Sequence, residues 1–185
     1  MPRIEHLDPS HYRHTPWKNG GGVTVDIVLV TDKDAEVWRF GRTPIVAPGP
    51  FSDYSGFDRV QVLVAGSGLV LKTPDGEIDV RQPFRPVRFA GETPIVSRLE
   101  AGPVEVVNLI GNRARVRVDI KVLDEDRSLR LGPGTHIVYN PVGESVLDVD
   151  GTRHVLAGDH GLRFETIGAT ALAGRGGCLL VASIS

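Results

Sequence analysis

What the chain has little of narrows its chemistry before any motif is read. It carries one cysteine in 185 residues, Cys178, so no intramolecular disulfide can close, and no Cys/His set has zinc-ribbon or zinc-finger spacing. A secreted disulfide scaffold and a structural zinc site are both disfavoured. No stretch approaches the roughly 20 apolar residues that span a membrane. The opening residues, Met1-Pro2-Arg3-Ile4-Glu5-His6, hold no apolar targeting core, so a cytoplasmic protein without membrane contact is expected. Nor is there a surplus of positive charge. Lys and Arg number 21 against 23 Asp and Glu, scattered along the chain for a formal net charge of -2, so counterion release offers little affinity for nucleic acid. Helix-length stretches free of breakers are scarce, because 22 glycines and 13 prolines are spread over the whole length.

Between the breaks the chain is β-branched. Residues 23–30, 60–64, 104–110 and 116–122 are rich in Val, Ile and Leu, and several of these runs alternate apolar with polar at period two. This predicts an antiparallel all-β protein with little helix; residues 9–12 and 123–127 could each hold one helical turn. A shift of the sequence against itself by 75 positions adds organisation. Gly68 then falls on Gly143, Asp75-Gly76 on Asp150-Gly151, Val80 on Val155, Arg88-Phe89 on Arg163-Phe164 and Gly102 on Gly177. Asp-Gly between β segments signals a two-residue type I′ hairpin, whose central positions both need positive φ. Two halves on one plan predict two stacked β-barrels of the double cupin (bicupin) type. Residues 1–115 would form an N-terminal barrel with the pocket and 116–185 a mainly structural C-terminal barrel, with strands exchangeable between them.

Two segments concentrate chemistry. In Trp17-Lys18-Asn19-Gly20-Gly21-Gly22 the glycines let main-chain N–H groups approach a ligand closely, while Trp17 offers an apolar wall, Lys18 a charge and Asn19 a donor and an acceptor. The same residues also fit a strand-entry bulge with Trp17 in the core. This is not a phosphate loop, since no Gly-Lys-Ser/Thr order leads into a helix. In residues 47–59, Phe51, Tyr54 and Phe57 supply aromatic area, and Arg59 stands at a strand mouth where it can clamp a carboxylate or pair with Asp53 or Asp58.

Pro16-Trp17-Lys18-Asn19-Gly20-Gly21-Gly22-Val23-Thr24, Trp38-Arg39, Gly49-Pro50-Phe51-Ser52, Gly56-Phe57-Asp58-Arg59, Phe89-Ala90-Gly91, Gly102-Pro103 and Asn108, in that order, resemble the HutD/Ves family over about residues 10–113. The resemblance implies a bicupin fold in a cytoplasmic bacterial protein. In the HutD branch it implies an accessory or regulatory role in histidine utilisation, holding a small carboxylate such as formylglutamate. The ligand-binding set it suggests is Trp17, Lys18, Asn19, Gly20, Gly21, Phe51, Ser52, Arg59 and Asn108. Lys18 and Arg59 would neutralise the carboxylate, Asn19 and Asn108 would read a formyl or amide oxygen, and Trp17 with Phe51 would exclude water. Two departures from the family pattern stand out: Gly41 replaces a usual serine after Trp38-Arg39-Phe40, and Asn112-Arg113 replaces a usual arginine pair.

Metal and nucleophile chemistry find little support. Cupin metal sites begin with His-x-His, which is absent; His11 and His14, His154 and His160, and His136 read as ordinary loop or structural histidines. No metal and no cofactor are expected. Cys178 reads as a small packed hydrophobe. No catalytic residue can be named, and binding is favoured over turnover. The alternative is a metal-independent enzyme, an isomerase or amide hydrolase, using the same pocket and needing a titratable base in it. The C-terminal half lacks the distinctive motifs, so it reads as packing or as an interaction surface. The expected partner is a small formylglutamate-like anion, not nucleic acid or membrane, and a homodimer is left open.

Overall fold

The computed structural model describes residues 3–17, 20–125 and 127–185. Among the described residues there are nineteen strands, one 3-10 turn at Pro9–His11 and no α-helix. The first eleven strands are β1 (Ile4–Leu7), β2 (Arg13–Pro16), β3 (Val23–Asp32), β4 (Ala35–Ile45), β5 (Gly49–Pro50), β6 (Phe57–Ala65), β7 (Leu69–Thr73), β8 (Gly76–Val80), β9 (Val87–Ala90), β10 (Val96–Leu99) and β11 (Val104–Asn112). The remainder are β12 (Val118–Leu123), β13 (Ser128–Leu131), β14 (Gly134–Asn140), β15 (Ser145–Val149), β16 (Thr152–Leu156), β17 (His160–Thr166), β18 (Thr170–Arg175) and β19 (Leu179–Ile184). The helical turn expected near residue 9 is present. At Leu123, where the sequence allows a second, β12 ends.

The chain divides into two units, Tyr12–Val118 and Met1–His11 with Asp119–Ser185. The first eleven residues, assigned to the N-terminal barrel by a division at 115, group instead with the C-terminal half, where β1 pairs with β17. In the first unit one sheet runs β2-β3-β4-β11-β6-β9 and the other β5-β10-β7-β8. In the second the sheets run β12-β19-β14-β17-β1 and β13-β18-β15-β16. The orders β4-β11-β6-β9 and β5-β10-β7-β8 recur with every strand eight places later in the chain, so the repeat at offset 75 is a duplicated topology. The fold is all-β and of the double cupin type.

Alternation builds each interior. In the first unit Ile45, Leu63, Leu69, Leu71, Val80, Ile95, Val104 and Val106 come from both sheets into one buried cluster. In the second, Leu131, Val138, Leu147, Leu156, Leu162, Phe164, Leu172 and Val181 do the same. The two Asp-Gly hairpins are equivalent but not identical. Asp150 and Gly151 both have positive φ, as a type I′ turn requires. In the first copy Thr73 pairs with Gly76, so the loop is Pro74-Asp75 and only Gly76 has positive φ. Proline at the first loop position locks φ near −65° and forbids the type I′ turn expected there.

The copies also differ inside. Gln61 on β6 faces Asn108 on β11, and at the matching register His136 on β14 faces Ser183 on β19. His136 Nε2 lies 2.9 Å from the Gly132 carbonyl, which only accepts, so Nε2 carries the hydrogen; Nδ1 is 2.9 Å from Ser183 Oγ. Burial holds the His136 pKa below the ordinary value, and the ring stays neutral. Acid therefore favours the unfolded chain, which binds a proton the folded one refuses: stability is intact above about pH 6.5 and falls as pH drops below it. His136→Asn should lose roughly 1–3 kcal/mol at neutral pH and show a shallower decline in melting temperature between pH 7 and pH 5. Equal acid losses in both proteins would contradict this role.

Candidate functional site

On β6 the period of two turns Arg59, Gln61 and Leu63 to the interior; Val106, Asn108 and Ile110 do so on β11, and Arg39, Gly41, Thr43 and Ile45 on β4. At one end these positions are apolar and belong to the core. At the other they are polar apart from Gly41 and Ile110, and they wall a cavity of about 110 Å³, closed by Trp17, Phe51, Ser52 and Tyr54.

Arg59 governs the electrostatics. It is 8% exposed, and its guanidinium carbon lies 5.0 Å from the ring centre of Phe89, 5.2 Å from Phe51 and 5.5 Å from Tyr54. Its Nη2 donates to Asn108 Oδ1 at 3.3 Å, while Nε is buried without a hydrogen-bond partner. No carboxylate among the described residues pairs with it. Asp58 instead accepts from Arg113 at 3.0 Å and Asp53 from Ser55 at 2.8 Å, so the ion pair across the turn does not form. Burial draws the Arg59 pKa down to about 10, which leaves the group charged at neutral pH. Aromatic faces offset part of the cost of burying that charge, and a counter-ion would offset the rest.

The second arginine is balanced. Arg39 donates to both Glu36 oxygens at 2.8 Å and lies 3.5 Å from Asp26, which also accepts from Thr15 at 2.5 Å. Burial opposes its charge most strongly, but the Glu36 hydrogen bonds together with the Coulombic attraction of Tyr54, Glu36 and Asp26 more than restore it. On the far wall Trp17 Nε1 donates to Thr24 Oγ1 at 3.0 Å, and Thr24 meets Thr43 at 3.1 Å. The Trp17 ring rests on Gly22, where an added Cβ would stand 3.0 Å from it. The Gly41 departure has a similar cause, since a Cβ there would lie 2.8 Å from the Val25 carbonyl oxygen on β3.

Of the residues expected from sequence, Trp17, Phe51, Ser52, Arg59 and Asn108 line this cavity. Gly20 and Gly21 are not in its lining; Gly20, at φ +72°, shapes the turn in which its N–H donates to Trp17 O at 3.0 Å. Lys18 and Asn19 lie outside the described residues. Thr24, Arg39 and Tyr54, which stand in the quoted motifs and the aromatic segment but not in the expected binding set, also line it, and Thr15, Thr43 and Gln61 are lining residues that the sequence did not single out. Gln61 alone left a trace, as an amide inside the otherwise apolar run Val60-Gln61-Val62-Leu63-Val64. The described lining contains no His, Cys, Asp or Glu, and no cluster of three or more such groups placed to hold a metal occurs among the described residues. The Cys178 thiol is pushed up by burial and by Asp124, 3.5 Å away, the reverse of an activated nucleophile.

The profile of the HutD family matches residues 9–181. An uncharacterised 21.2 kDa protein from the hutC 3′ region of Pseudomonas putida is 28% identical over 141 residues, covering 75% of this chain and 74% of its own. Protein Ves of Citrobacter koseri is 26% identical over 123 residues, 65% of this chain and 64% of its own. The solved structure of HutD from Pseudomonas fluorescens SBW25, in a formate condition, superposes with a TM-score of 0.83 at 26% identity, covering 99% of this chain and 100% of that one.

The aromatic half of the site depends on one glycine. Gly91 N donates to Phe57 O at 2.7 Å and Gly91 O accepts from Tyr54 N at 3.0 Å, which seats the loop of Phe51 and Tyr54 against β9. A Cβ at Gly91 would stand 2.1 Å from the Tyr54 carbonyl oxygen. Gly91→Ala should therefore displace that loop and destabilise the protein by about 2 kcal/mol or more. Gly132→Ala, where a Cβ meets nothing within 4 Å, should change stability by less than about 0.5 kcal/mol. Chemical denaturation compares the two, and equal losses would contradict the assignment.

Proposed function

The chain belongs to the HutD family, and from that premise we propose that it is a small-molecule-binding accessory or regulatory protein of histidine utilisation. In this reading it holds a small carboxylate, formylglutamate foremost, in the cavity of the Tyr12–Val118 unit without a metal. The family is linked to the histidine utilisation locus, as in the Pseudomonas putida relative, and formate, present in the condition of the solved HutD, carries the same carboxylate group. The single observation that carries the reading is Arg59: charged, buried among three rings, without a carboxylate among the described residues, and with an unmet donor. An anion that reaches Nε would gain charge-assisted hydrogen bonds in a setting from which water is largely excluded.

Turnover finds less support than binding. A general base must sit within hydrogen-bond reach of its substrate, and the ionisable groups of the described lining are Arg39, Tyr54 and Arg59. Burial pushes the Tyr54 phenol up, which keeps it protonated at neutral pH and so unavailable as a general base.

Calorimetric titration of the wild type with formylglutamate, glutamate, urocanate and formate should give heat from at least one of them; silence from all at millimolar ligand would contradict the reading. Arg59→Met should weaken that binding by about a hundredfold. Because it removes an uncompensated buried charge, the same change should leave the melting temperature of the unliganded protein unchanged or raised. Loss of both stability and binding would mean that Arg59 is a structural residue.

A further inference from the structure

A second unmet group lies in the same wall. Asn108 Oδ1 accepts from Arg59 Nη2 at 3.3 Å and from Gln61 Nε2 at 3.1 Å. Arginine has no acceptor, so the oxygen of Asn108 must face it, and the nitrogen of Gln61 must in turn face that oxygen. Both amide orientations are thereby fixed, and Gln61 Oε1 is left as an acceptor that nothing in the protein meets. Gln61 is 1% exposed and its Oε1 is buried without a partner. Buried oxygens of this kind are seldom left unpaired, and a site that holds one discriminates strongly between guests that can and cannot meet it.

The two unmet atoms, Arg59 Nε and Gln61 Oε1, call for opposite chemistry. They belong to residues i and i+2 on one face of β6, about 7 Å apart along the strand. We infer that the guest of this cavity carries an N–H or O–H donor a few bonds from its negative charge, and that Gln61 selects for that donor. The inference rests on the anion-binding reading and narrows it: simple carboxylates are poor guests, while N-acylated or hydroxylated acids are good ones. Gln61 is thus a specificity residue and Arg59 the source of affinity. An arginine alone would hold formate, glutarate and an N-acyl amino acid with little distinction.

Matched probes test the inference. Glutarate carries charge and no donor; 2-hydroxyglutarate and formylglutamate keep the carbon length and add an O–H or N–H. Titrated into the wild type, at least one donor-bearing acid should bind tenfold or more tightly than glutarate. In Gln61→Leu and Gln61→Met, each first shown by thermal melting to be folded, that preference should shrink to threefold or less while glutarate keeps its affinity. Equal wild-type affinities for all three acids would overturn the role of Gln61 and leave the anion site standing. Silence from all three would overturn the anion site and this inference with it. A preference that survives in both folded variants would assign the selection to another residue.

Discussion

The arrangement around Arg59 depends on one imbalance: a guanidinium held inside the protein with no carboxylate beside it among the described residues. Such a charge is unfavourable unless its surroundings compensate, and the compensation visible here is partial. The rings of Phe51, Tyr54 and Phe89 present their faces to the cation, and one amide oxygen accepts from it. Each of these depends on structure elsewhere. Phe89 is placed by the pairing of β9 with β6, opposite Arg59 itself. Phe51 and Tyr54 are placed by a loop that docks on Gly91. Two cations lie within reach of the Tyr54 ring, yet Glu36 and Asp26 satisfy one and none of the described carboxylates satisfies the other.

The duplicated fold gives an internal comparison. The second unit repeats the strand plan of the first, and at the register of Gln61 and Asn108 it carries His136 and Ser183, which satisfy one another and the Gly132 carbonyl. Two residues earlier, where the first unit has Arg59, the second has Gly134, and a Cβ there would stand 2.6 Å from the Ile184 carbonyl oxygen. One copy is thus closed by its own main chain and a neutral imidazole. The other keeps an open cavity with unmet donor and acceptor atoms.

Much of this was legible in the sequence. The repeat shows because turn glycines and the residues beside them keep their spacing, and the strands show because alternation is a local property. The first strand escaped because Ile4-Glu5-His6-Leu7 buries one side chain only, too little to mark a strand or to reveal which half it joins. The turn at Pro74 departs from the type I′ expectation because Asp75-Gly76 signals that turn only where no proline takes the first loop position. Trp17, Phe51, Arg59 and Asn108 could be picked from motifs in which aromatics, glycines and polar groups lie close together. Thr43 and Gln61 could not, since their meeting with the rest depends on the registers of β4, β6 and β11. That Arg59 lacks a partner is the least legible feature. Asp53 and Asp58 stand within a few positions of it in sequence and are committed to Ser55 and Arg113 in space.

The most direct measurement is crystallographic: crystals of the protein soaked in bromide, with the anion located by its anomalous signal. A buried cation that awaits a counter-ion should collect bromide within about 3.5 Å of Arg59 Nε, in the cavity beside Gln61 and Asn108. An empty cavity at molar bromide, or an Arg59 side chain found turned away onto a carboxylate, would show that the charge is already balanced.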